Sequence, residues 1–359
     1  MCPAGADVTK GAPYICPKGA YCASGVMTKC PAGTFGIQTG AHTSALGCGQ
    51  CPAGYFCIDG TSDYKKNPCP RGFYCPNSGT ELSPIECPKG TYNDELFGKS
   101  LADCKTCPMG HMCEPASVDQ GQICASGYYC PMGSGHNEYP CPAGKYSGFR
   151  TGLRSLWECI DCPSGYYCPE GTANPTASPA GYYNPYTGIG AEESLLICPP
   201  GRYCPDTGMT YPEDNFCSKG YYCPAGSTSP TANPCPEGTF SDSREAYQEI
   251  DCHPCPRGYK CPSAAETSDL VNCPLNEYCP EGTKSTDEFD CPAGTYTTAT
   301  NAKSVDECVE CIAGSFCDEG AGAVTCLAGY YCPYGTTSDD AYPCPAGTYS
   351  AATGLVSSG

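Results

Sequence analysis

The chain has 359 residues, including 36 Cys, 44 Gly, 37 Pro and 28 Tyr, and a net charge of −19. One cysteine in every ten residues, with Leu, Ile, Val and Phe scarce, excludes a thick aliphatic core and requires covalent staples in its place. The acidic balance is spread thinly, which disfavours nucleic acid and anionic membrane as partners.

Two cysteine spacings recur along the chain, a short C-x5-C and a long C-x16-C or C-x17-C. Residues 1–29 are a partial repeat holding Cys2 and the short pair Cys16–Cys22. Residues 30–86 open with the long pair Cys30–Cys48 and continue with the short pairs Cys51–Cys57 and Cys69–Cys75. Residues 87–140 repeat that order with Cys87–Cys104, Cys107–Cys113 and Cys124–Cys130. Residues 141–234 form an expanded repeat with Cys141–Cys159, Cys162–Cys168, Cys198–Cys204 and Cys217–Cys223. Within it "TASPAGYYNPYTG" keeps the short frame, but Ser178 and Asn184 stand in place of its two cysteines. Residues 235–290 carry Cys235–Cys252, Cys255–Cys261 and Cys273–Cys279. Residues 291–343 carry Cys291–Cys308, Cys311–Cys317 and Cys326–Cys332, and 344–359 begin a further repeat at Cys344.

At 178/184 two cysteines vanish together while the flanking pairs stay whole. This parity favours bonding within each pair and marks 178/184 as a lost short disulfide; a crossed pattern between neighbouring pairs is the competing arrangement. Cys2 and Cys344 are left without partners in this chain. Either the chain is a piece of a longer array, or these thiols bond between chains.

Eleven of the twelve short loops read C-x-x-G-x-x-C, and the twelfth places Asn276 at the centre. A tight reversal there requires positive φ, which Gly adopts freely and Asn tolerates best among the rest. The residue before the second Cys is aromatic in ten loops; Met112 and Lys260 depart. Rings in register with cysteines predict a thin core laid over the disulfides, against the alternative of an exposed sugar-stacking ladder. No window has a helical apolar period, although "FSDSREAYQEIDC" and "NAKSVDEC" suit a helical turn. The expected fold is small and disulfide-rich: an elongated tandem array of Cys-rich modules with short β-hairpins and turns, almost no helix, and contacts between neighbours only.

The stretches "CPAGTFGIQTGAHTSALGCGQC" at 30–51 and "CPAGTYTTATNAKSVDECVEC" at 291–311 resemble the ephrin-receptor-like (GCC-type) cysteine-rich repeat. The resemblance recurs over nearly the whole chain. It implies an extracellular array with local disulfides, of the kind found in protist surface and filament proteins. The interleaved "CPxGYYCP" loops depart from animal receptors, so no binding residues carry over.

Other chemistry is sparse. C-x2-C occurs five times, but each is followed by a C-x5-C loop, which is not a zinc spacing. The four His residues share no repeat position, and no catalytic or cofactor site is expected. Calcium has hard oxygen ligands available at Asp287–Glu288, Asp306–Glu307–Glu310 and Asp339–Asp340, but no EF-hand loop. No acceptable N-glycosylation sequon occurs. Thr172, Thr176, Thr228 and Thr231, in Pro/Ser/Thr-rich stretches, are candidate O-glycan carriers. No run of ~20 apolar residues exists to span a membrane. The expected role is structural and non-enzymatic, at the cell surface or outside the cell. In that role a stapled rod builds a filament, coat or appendage with copies of itself and with glycans. The alternative is the stalk or ligand-binding ectodomain of a receptor or adhesin, with the extra loops of 141–234 as its contact zone.

Overall fold

A computed structural model describes residues 15–76, 83–287 and 289–359. Cys2 and Glu288 lie outside them. The chain forms two compact units. One comprises the residues up to Thr176 together with Tyr186–Ser194, and the other Ala177–Pro185 together with Leu195–Gly359.

Both units are built from one module smaller than the repeat of 53–57 residues. It begins at each short- or long-pair first Cys, or at Ser178, and runs 14–21 residues to the next. The module opening at Cys69 shows its logic. Pro70 fixes φ and removes a donor, and Gly72 then turns the chain at φ +82°. Phe73–Tyr74 follows as a two-residue strand, antiparallel to Ile85–Glu86 just before the next module, with Phe73 opposite Glu86 and Tyr74 opposite Ile85. Cys75 comes back to Cys69, Cα to Cα 5.9 Å.

Backbone hydrogen bonds weld each module to the next. The Cys87 amide donates to the Gly72 carbonyl at 2.9 Å, and the Gly72 amide donates to the Asn93 carbonyl at 2.8 Å. The Cys75 amide donates to Gly98 at 2.9 Å, and the Phe97 amide to the Cys69 carbonyl at 3.0 Å. Most modules repeat these four bonds; at Gly127 and Asn276 the amide donates instead to the Ser147 or Thr297 hydroxyl of the next module. They answer where strands of two residues place their polar groups. Contacts also reach beyond the immediate neighbour. A Cβ on Gly72 would lie 2.2 Å from the carbonyl oxygen of Ala116, two modules on. Gly72 and Ala116 belong to the adjacent repeats 30–86 and 87–140, so this contact skips a module but stays between neighbouring repeats.

The two disulfide spacings are variants of this one module. In short modules the sixth residue after the first Cys is its partner. In long modules that place holds Gly36, Asn93, Ser147, Ser241 or Thr297, all buried. The partner instead lies three residues before the next module. A single helical turn delivers it: Ser44–Gly47, Leu101–Asp103, Leu156–Glu158, Glu249–Asp251 or Val305–Glu307. The last two fall in the stretches expected to turn. All but the first, a four-residue α-helix, are 3-10 turns. Each of the seventeen disulfides therefore closes within its own module, with Cα–Cα distances of 5.5–6.0 Å.

The core consists largely of the cysteines, joined by few large apolar side chains, among them Leu153 and Met112. The register aromatics are half-buried. Tyr129 packs on Cys141, Cys159 and Leu153, and Phe240 on Cys255, Cys261 and Ala265. Lys260, one of the two departures from the aromatic rule, is also buried and pairs with Glu277 at 2.6 Å.

One reading changes. The degenerate module was expected to lack the short pair 178/184, but the structure makes it a long module. Its strand Tyr182–Tyr183 pairs with Leu196–Ile197, Tyr183 opposite Leu196. In the module from Cys87, Tyr92 lies opposite Lys105, the residue after Cys104. Leu195 thus stands in the place of Cys104, and Asn184 in the place of Asn93. The 3-10 turn Glu192–Ser194 precedes Leu195 as Leu101–Asp103 precedes Cys104. The missing cross-link is therefore 178/195. Ser178 and Leu195 fill its space, 0% and 8% exposed, and the Ser178 Oγ has no hydrogen-bond partner.

Candidate ligand groove

The second unit carries an open groove of about 610 Å³. It lies along modules 198 and 217, both within the expanded repeat, and along modules 235 and 255. Tyr203, Phe216 and Tyr221 supply rings, and Asp214, Asp269 and Arg244 supply polar groups. Phe216 is fixed by Arg202, whose guanidinium carbon sits 4.3 Å from the ring centroid. The same guanidinium donates to the carbonyl oxygens of Pro212, at 2.8 Å, and Glu213. Lys219, also on the wall, lies 3.6 Å from Asp242 and 3.4 Å from Glu266. The Asp242 carboxyl is held below the usual range, chiefly by the hydroxyl and amide of Thr267, with Lys219 adding to it.

The groove coincides with a local break in the stacking pattern. Elsewhere a loop amide of the following module donates to the carbonyl of each opening residue, as Gly226 does to Cys198 and Ala264 to Cys235. At Cys217 this bond is missing. The amide due to make it belongs to Glu245, and it donates instead to the Ser243 hydroxyl at 3.1 Å. Glu245 also stays out of the left-handed region that Ala116, Ala264 and Asn301 adopt at that place. Among the described modules where both residues are seen, Cys217 alone lacks this amide.

The other residues singled out by sequence are scattered. Thr176, Thr228 and Thr231 are exposed. Thr172 is half-buried, and its hydroxyl donates to Pro169 O at 2.5 Å, a turn contact repeated by Thr61, Ser134, Thr283 and Thr336. Cys344 is free and half-buried. His136 meets Glu114 at 2.5 Å on the surface, and the His253 ring lies tilted near Phe240, centroids 6.2 Å apart. Among the described residues no cluster of three or more His, Cys, Asp or Glu is placed to hold a metal ion. No helix among them is long and apolar enough to cross a membrane. The break at Glu245 was missed in the sequence. Its signal was there: an acidic residue at a loop site filled by Gly in most modules.

No family model and no curated protein matches the chain.

Proposed function

We propose that the chain is a segment of an extracellular, non-enzymatic structural protein, a stapled rod that builds a filament, surface coat or cell-surface appendage. One observation carries the reading: a disulfide in nearly every described module, most of them welded to the next by four backbone hydrogen bonds. Such an array holds its form without an aliphatic interior, and its stability accumulates module by module. Disulfides at this density persist in an oxidising compartment. The resemblance to ephrin-receptor-like repeats of protist surface and filament proteins belongs to the same reading. So do O-glycans on the exposed Thr176, Thr228 and Thr231, and association between copies of the chain.

Electron microscopy of non-reduced native material tests it. Ordered fibres or a periodic coat are expected, dissolving on reduction. Dispersed monomers at every concentration would overturn it in favour of a receptor or adhesin ectodomain, the reading that the groove on the second unit supports.

A further inference from the structure

We propose that the groove bounded by Tyr203, Phe216, Tyr221, Asp214, Asp269 and Arg244 is a binding site for a short neutral oligosaccharide. Its volume, about 610 Å³, falls in the range of small-molecule sites, roughly 300–1,000 Å³. The chemistry of its walls selects the ligand class. Tyr203 and Tyr221 supply apolar ring surface, as does the part of Phe216 that Arg202 leaves uncovered, and such surfaces suit the C–H faces of pyranose rings. Carboxylates and the uncapped Cys217 carbonyl accept hydrogen bonds, and the Arg244 guanidinium donates them, so a ligand needs donors and acceptors together. Hydroxyl groups are both.

The charges narrow the choice further. Carboxylates in the wall repel phosphate or sulfate. Arg244 and Lys219 in the same wall disfavour a cationic peptide. A purely apolar ligand would leave these polar groups desolvated and unpaired. A neutral, hydroxyl-rich chain meets none of these costs.

The break in the stack is the second support. Diverting the Glu245 amide to Ser243 costs the second unit an inter-module bond that every comparable described module makes. It frees an acceptor at the groove wall. Departures from a fold's local rules concentrate where a site is built.

The experiment titrates the full oxidised chain with tetramers of β-1,4-linked glucose, N-acetylglucosamine and mannose, using saturation-transfer NMR and calorimetry. A Lys/Arg-rich peptide and inorganic sulfate serve as controls. At least one saccharide is expected to bind, at a Kd between about 10 µM and 1 mM. Arg244→Ala and Asp269→Asn, both at exposed positions, should weaken it at least fivefold with every disulfide intact. The double change Ser243→Ala with Glu245→Gly restores the amide available to Cys217 and should weaken binding by a similar factor. Three results would overturn the proposal: no saccharide binding at 10 mM, saccharide binding indifferent to all these variants, or preference for the basic peptide or sulfate. Fibre formation is scored separately, so failure here leaves the structural reading standing.

Discussion

Restoring the absent staple is the sharpest check on the module. In Ser178→Cys/Leu195→Cys the two thiols should oxidise spontaneously, because their backbone places match those of Cys87 and Cys104, whose Cα atoms are 5.7 Å apart. Closing a loop of about 18 residues restricts the opened state by about 3.2 kcal/mol at 25 °C in the chain-entropy account. Exchanging Leu195 for a smaller residue gives back about 1.5 kcal/mol of apolar burial. Removing the unpartnered, buried Ser178 hydroxyl recovers about 1 kcal/mol. The net gain is about 2.7 kcal/mol, or about 100-fold in a local opening equilibrium. Hydrogen exchange read by mass spectrometry over 179–197 should slow by that factor, with a 2 Da mass loss and no titratable thiol beyond those of the parent. Two reactive thiols after oxidation, or unchanged exchange, would refute the placement of Leu195 at a cysteine site.

Three further expectations follow from the packing. Gly72→Ala should cost about 3 kcal/mol, combining the left-handed backbone with a clash against the Ala116 carbonyl. Gly282→Ala, at φ +83° with nothing within 4 Å, should cost only about 1 kcal/mol; equal losses in urea titrations of the two variants would deny the contact between alternate modules. Asn93→Ala should cost about 2–3 kcal/mol, because the Asn93 amide donates to Phe73 O at 2.9 Å and its carbonyl accepts from Glu95 N at 3.1 Å, deep in the stack; a change under 0.5 kcal/mol would contradict this. The Asp103 carboxyl accepts from the Lys99 and Ser100 amides at 2.6 and 2.9 Å, and these bonds hold it below its ordinary range. Its stabilising effect on the turn is present above the unfolded value of 3.8 and is lost as pH falls through the lower folded value. NMR titration of this carboxyl should show that depression, and Asp103→Asn should abolish the acid-dependent fraying of 99–104.

Hairpins, turns and the near-absence of helix were legible because Cys, Gly and Pro each force a local geometry at fixed spacing. The unity of short and long modules was not. The sixth-place residues Gly36, Asn93, Ser147, Ser241 and Thr297 share only small size and burial, which no periodicity reveals. The same blindness misplaced the lost bond. Asn184 falls at the cysteine spacing that the eye follows, whereas Leu195 reads as one more apolar residue in "ESLLIC". The hydrogen bonds between modules were equally hidden, since backbone amides carry no side-chain signature. Phe97, Ala116 and Ala264 hold left-handed backbone at the loop site where sequence suggests glycine, and only the neighbouring module's grip accounts for them.

The alternation of bridge lengths has a mechanical corollary. From Cys104 to Cys107 only three peptide steps run outside a bridge, a span of at most about 10 Å, and Lys105–Thr106 is already extended as a strand, so a pulled chain there yields little. From Cys113 to Cys124 there are eleven, which extend to about 37 Å when pulled taut. Pulled from its ends, the chain would pay out line in graded instalments while every sulfur link stayed whole. Between Cys168 and Cys198 no tether exists, and that stretch gives the longest travel between bridges before the load is caught.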